Sequence, residues 1–104
     1  PEGAREVVEQ IAGALAPLGI EHRPGEGSAG PDLIPMAQRG MAWAWLAQDG
    51  SDYFDYHHTA NDTLDKVEAA ALDQNVAAYA VFTWLAAESE VDFGSAPKTP
   101  PERP

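Results

Sequence analysis

Residues Met41–Ala47 read MAWAWLA. Large Met41, Trp43 and Trp45 alternate with small Ala42 and Ala44, between Gly40 on one side and Gln48 to Gly50 on the other. Alternation is the period of a strand, and an apolar residue at every position suits a strand covered on both faces. Ala, Leu and Met are also good helix formers, but a run of seven residues between two breakers suits a strand better. Such a strand wants parallel neighbours and a layer of helices on each side. The expectation is therefore an α/β fold.

The flanking segments supply helices. Upstream, Ala4, Val7, Val8, Ile11 and Leu15 fall at the spacing of one helical stripe, with Arg5, Glu6, Glu9 and Gln10 on the other side. Pro17 and Gly19 stop that helix, Ile20–His22 reads as a short extended piece, and PGEGSAGP as a loop. Asp32 is placed to cap a short helix running to Arg39, with Gly40 ending it in a left-handed conformation. Downstream, Glu68 to Glu88 is Ala-rich and apolar around most of its circumference, which predicts a long helix buried on more than one side. One or two strands make no stable sheet alone, so the chain reads as the C-terminal portion of a layered α/β domain. The domain is expected over residues 1–93, followed by a disordered Pro-rich tail over 94–104.

Composition narrows the function. The chain has 104 residues and carries 17 Asp and Glu against 6 Lys and Arg, a formal charge of −11. A phosphate backbone or an anionic membrane surface repels it, so nucleic acid is an unsuitable partner. No cysteine is present, which removes disulfides, thiolate ligands and thiol nucleophiles. No apolar run reaches the length of a membrane span, and no basic-then-apolar leader opens the chain. A start at Pro1, almost directly into a helix, suggests an excised or processed segment.

Chemistry concentrates in YFDYHHTANDT, Tyr53 to Thr63, which holds two of the three histidines and reads as a polar loop. Imidazole and carboxylate are the common ligands of metals such as zinc. In an extended backbone His57 and His58 point to opposite faces, so one metal takes only one of them. Thr59, Asn61, Asp62 and Thr63 are also turn and cap formers, so the same residues serve equally to shape a loop. An Asp55–His57 catalytic pair is the weaker alternative. No HExxH helix, phosphate loop or nucleophile elbow is present.

The segments GPDLIPMAQRGMAWAWLAQDGSDYFDYHHTANDTLDKV and LDQNVAAYAVFTWLA resemble the C-terminal part of the M28 family of zinc peptidases, the co-catalytic aminopeptidase and carboxypeptidase Q-like group. The resemblance covers roughly residues 4 to 90, and its most specific element is HT followed by DT. It implies a three-layer zinc-exopeptidase fold, a mostly parallel sheet flanked by helices and ending in a long C-terminal helix. It also implies a peptide substrate, two zinc ions in the complete domain, and a location outside the cytoplasm, secreted or periplasmic. Carried over residue by residue, the resemblance makes His58 a zinc ligand. It leaves His57 as support beneath the loop, with Asp62 and Thr63 holding His58 in place. Tyr53 and Phe54 fall on the pocket rim, and Asp32 is either a group close to the site or only a helix cap.

The family takes its remaining ligands and its general base from a His-x-Asp pair and a Glu-Glu pair, and neither occurs here. The chain alone is therefore expected to be inactive and to need the rest of the peptidase domain as its partner. An unpaired strand and an all-round apolar helix further predict that in isolation it self-associates or folds poorly. The competing expectation is a non-catalytic acidic binding module that keeps the fold without the site.

Overall fold

A computed structural model of the chain describes residues 3–25 and 27–94. Helix α1 spans Ala4–Leu15, and its stripe closes where the spacing places it, with Val7, Ile11 and Leu15 buried. Pro17 turns the chain into a short 3-10 segment, Ala16–Leu18, and Gly19 ends it at φ 77°, a left-handed conformation that glycine adopts without a Cβ clash. Helix α2 spans Ile34–Gln38 and helix α3 spans Tyr53–Tyr56. A second 3-10 segment, Leu64–Lys66, leads to helix α4, Ala69–Glu88.

The core lies between α1 and α4. Val7, Ile11 and Leu15 meet Ala78, and Leu18, Ile20, Val81, Phe82, Leu85, Ala86, Val91 and Phe93 close around them half-buried. Gln74 ties the same two elements, its Nε2 donating to the Leu18 carbonyl at 2.6 Å and satisfying one of the acceptors that a helix end leaves free. This is a small core. The accessible surface is 8947 Å², against roughly 5,700 Å² for a compact protein of this length. The radius of gyration is 16.5 Å, where a compact domain of about 100 residues has about 13 Å.

The α/β expectation is overturned. Among the described residues there is no strand and hence no sheet, parallel or otherwise, and the fold is helical. Residues 41–50 form no regular element, and Ile20–His22 forms none either. The physical reason is pairing. Alternation reports which faces of a segment are apolar, but a strand exists only when a neighbour takes its N–H and C=O groups, and no second extended segment runs beside 41–47. The tryptophans turn instead onto the glycine-rich loop. A Cβ at Gly27 stands 3.3 Å from Trp45 Cε3 and 3.6 Å from Trp43 Cη2, so the absence of a side chain there admits both rings.

Two helix expectations need finer correction. The long helix over 68–88 is present as α4, but Ala78 is its one buried residue, and the second covered side is open to solvent. Asp32 does not cap α2. Leu33 occupies the N-cap without a side-chain bond, and the Gly30 carbonyl accepts from the Leu33 and Ile34 N–H groups at 3.2 and 3.0 Å. Gly40 follows α2 at φ 95°, as its position predicts. The tail over 95–104 lies outside the described residues.

Candidate functional site

The approach to the histidines is a set of local turns. The Asp49 carboxylate accepts from the Ser51 hydroxyl at 2.7 Å and the Ser51 N–H at 3.0 Å. These bonds, the hydroxyl first, hold the Asp49 pKa below its ordinary value. The Tyr53 N–H then reaches the Gly50 carbonyl at 3.0 Å and starts α3, so the stretch expected to be a plain loop opens with one helical turn. The His57 N–H closes that turn on the Tyr53 carbonyl at 2.9 Å.

His58 follows at φ 57°, the one non-glycine residue with positive φ among those described. The left-handed backbone swings its ring back over its neighbour. The two imidazoles stack at 3.8 Å between centroids, with planes 22° apart. Tyr53 continues the stack beneath His57 at 4.4 Å and 24°, and its hydroxyl lies 3.4 Å from His57 Nε2. The expectation of opposite faces assumed an extended backbone, and the left-handed turn removes that premise. His57 does not face away from His58; the two rings lie against each other.

Beyond the histidines the loop is held by hydroxyls. Thr59 Oγ1 donates to the Tyr56 carbonyl at 2.6 Å and accepts the Asn61 N–H at 3.2 Å. The Asp62 N–H reaches the Thr59 carbonyl at 3.2 Å, so it is the Asp62 backbone that joins the turn. The Thr63 hydroxyl bonds Asp65, whose other carboxylate oxygen accepts from Lys66 Nζ at 2.6 Å. Lys66 and then Thr63 hold the Asp65 pKa below its ordinary value. The same ammonium lies 5.7 Å from the centre of the Tyr56 ring, a cation–π distance that ties the end of the loop to its start. This Thr63–Asp65–Lys66 latch was missed in the sequence, although Thr-x-Asp before a helical turn is a recognisable local signature.

Of the remaining candidates, Phe54 meets Tyr53 edge-on at 5.2 Å and is otherwise exposed. Asp32 shares no hydrogen bond or ion pair with the loop among the described residues. The described residues also bring together no group of three His, Cys, Asp or Glu side chains able to hold a metal. Catalytic zinc sites use three protein ligands. The donors among the described residues therefore do not by themselves make a zinc centre, and His58 stands exposed.

No protein-family model matches the chain, and no solved structure matches it. Among curated proteins, human carboxypeptidase Q is 30% identical over 89 residues, covering 86% of this chain and 19% of that protein. The chain is similar to carboxypeptidase Q at a distance. Bovine carboxypeptidase Q is 29% identical over 89 residues and the rat protein 28% over 87, covering 84% of this chain and 18% of each relative. The chain thus spans about a fifth of the length of the carboxypeptidase Q proteins it matches. An 89-residue span leaves at most 15 of the 104 residues outside it, so it necessarily takes in the histidine loop and the whole of α4. This makes the chain a peptidase-related segment. No helix among the described residues is long and apolar enough to cross a membrane.

Proposed function

We propose that this chain is the C-terminal segment of an M28-type dizinc exopeptidase, of aminopeptidase or dipeptidase type, which hydrolyses peptide bonds at a chain terminus outside the cytoplasm. His58 contributes one zinc ligand, and the other ligands and the general base come from the rest of the domain. The observation that carries this reading is the similarity to carboxypeptidase Q across the HHTANDT loop. Support comes from His58 itself. A left-handed histidine costs on the order of 1–2 kcal/mol of backbone strain, and such strain gathers where one side chain must be held in one place. Thr59, Thr63 and the His57 ring hold the loop around it.

The test replaces the matched segment of human carboxypeptidase Q with this chain and measures zinc content and the release of terminal residues from small peptides. In that chimera His58→Ala is expected to lose zinc and activity together, while His57→Ala retains zinc. The isolated chain is expected to show no tight zinc binding by calorimetry. Full activity in His58→Ala, or tight zinc binding by the chain alone, sinks the assignment.

The second reading, an acidic non-catalytic module, is favoured by the absence of a three-donor group among the described residues and by the charge of −11. A folded chimera that takes up no zinc decides for it.

A further inference from the structure

His57 and His58 are the central pair of a β-turn. The Thr59 N–H reaches the Tyr56 carbonyl at 2.9 Å. His57 stands at φ −51° and ψ 123° and His58 at φ 57°, the pattern of a type II turn, whose second central position ordinarily calls for glycine or asparagine. Such a turn carries its side chains wherever its first residue goes, and that residue is Tyr56. Tyr56 is half-buried between exposed Phe54 and exposed His58. Lys66 lies against its ring, the ammonium 5.7 Å from the centre and within cation–π range. The Lys66 side chain is only 27% exposed, whereas those of Arg5 and Arg23, the other cations in ion pairs among the described residues, are 92% and 87% exposed. Its backbone is held too, the Lys66 N–H donating to the Thr63 carbonyl at 3.0 Å. Asp65 accepts from the ammonium at 2.6 Å on one carboxylate oxygen and from the Thr63 hydroxyl on the other. Lys66 is the one Lys or Arg between Tyr53 and Glu68, a span with four carboxylates, so no neighbour in sequence replaces it.

We infer that Lys66 is a positioning residue for His58: its ammonium, held by Asp65, clamps the Tyr56 ring and so fixes the turn that presents the His58 imidazole. The inference rests on the peptidase reading above, in which His58 is the ligand. Capture of a substrate carboxylate is the other role open to a cation beside such a loop. The Lys66 ammonium suits that role less well, because Asp65 and the face of Tyr56 already occupy it and most of the side chain is covered. The clamp needs both a positive charge and an aromatic face. An uncharged side chain at position 66, or an aliphatic one at position 56, removes it without touching the α1–α4 core, to which neither residue belongs.

NMR of the 104-residue chain tests this through the His58 imidazole protons, which the ring current of the stacked His57 displaces. Lys66→Met and Tyr56→Leu are expected to lose most of that displacement. Lys66→Arg and Tyr56→Phe should keep it, because the charge or the ring survives. Arg5→Met, which removes an exposed ion pair on α1, should leave it unchanged. In the carboxypeptidase Q chimera, Lys66→Met is expected to weaken zinc binding about tenfold, and Lys66→Arg to stay within about twofold of the parent. Parental His58 shifts in Lys66→Met, or lost displacement in Lys66→Arg, overturns the inference. So does parental zinc affinity in the Lys66→Met chimera where His58→Ala loses zinc. Loss of helical circular dichroism in Lys66→Met overturns it as well, since Lys66 then supports the whole fold and not the turn. The two readings separate cleanly. Parental His58 shifts in Lys66→Met with zinc lost in His58→Ala remove the clamp alone, whereas shifts lost in Lys66→Met with zinc unchanged in His58→Ala remove the ligand assignment alone.

Discussion

The imidazole rings of His57 and His58 lie face to face, 3.8 Å apart, because His58 takes a left-handed backbone at φ 57°. Adjacent side chains otherwise diverge in an extended chain, so the stack and the backbone conformation are one feature. It places two imidazoles and the Tyr53 ring in a single column on one side of the loop.

The conformation at His58 sets an order among substitutions. Glycine adopts positive φ freely, whereas a β-branched residue there is a genuine outlier. His58→Gly is expected to leave the following turn intact, and His58→Val to open it at a cost of about 1–2 kcal/mol. The amide of Asp62, which donates to the Thr59 carbonyl, is the probe. Its exchange rate should stay within about twofold in the glycine variant and rise roughly tenfold in the valine variant. Equal rates in the two variants refute the strain.

The Thr63–Asp65–Lys66 latch should loosen in acid. Lys66 and then Thr63 lower the Asp65 pKa from its ordinary 3.8, so the folded state favours the carboxylate. A lowered folded pKa gives a contribution that is present above the unfolded pKa and disappears as pH falls through the folded one. The window therefore lies below pH 3.8. Carboxyl-carbon NMR of Asp65 should titrate below that value in the native chain and move back towards it in Lys66→Ala. An Asp65 that titrates identically in both removes the ion pair from the account.

What the sequence made legible was what single-chain periodicity controls. Val7, Ile11 and Leu15 were readable because a 3.6-residue period names one face, and α1 needs only one partner face. The strand at Met41–Ala47 was misread because alternation names apolar faces without naming a pairing partner. At the candidate site, the turn chemistry of Thr59 and Thr63 follows from residue type, and both hydroxyls bond where such residues bond. The stacking of His57 on His58 was not legible, since no residue type at position 58 announces a left-handed histidine. The Thr63–Asp65–Lys66 bonds are local, but the approach of Lys66 to the Tyr56 ring ten positions upstream is something local patterns do not report.

Gln74 is expected to matter more than its exposed position suggests. Its Nε2 donates to the Leu18 carbonyl, 56 residues away in sequence, and no neighbouring helix group serves that carbonyl. Gln74→Ala removes the bond and is expected to cost about 1 kcal/mol in urea unfolding. Gln74→Glu should cost at least as much, because a carboxylate has no hydrogen to donate. A Glu variant as stable as the parent shows that the bond contributes nothing.

The smallness of the α1–α4 core makes it the least tolerant part of the chain. Ile11 is 5% exposed and sits at the centre of four buried side chains, Val7, Ile11, Leu15 and Ala78. Ile→Ala at such a position costs about 2–5 kcal/mol, which rivals the whole stability of a marginal small domain. Ile11→Ala is therefore expected to remove the cooperative thermal transition and much of the helical circular dichroism. Val8, three positions earlier but on the edge of the stripe at 36% exposure, should tolerate alanine at a cost below about 1 kcal/mol. The contrast is the test. If Ile11→Ala melts cooperatively at the parental temperature, packing of α1 on α4 is not what holds the chain together, and self-association through exposed apolar side chains of α4 such as Leu72, Val76 and Tyr79 is then the alternative source of stability. A concentration-dependent melting temperature would then expose that directly.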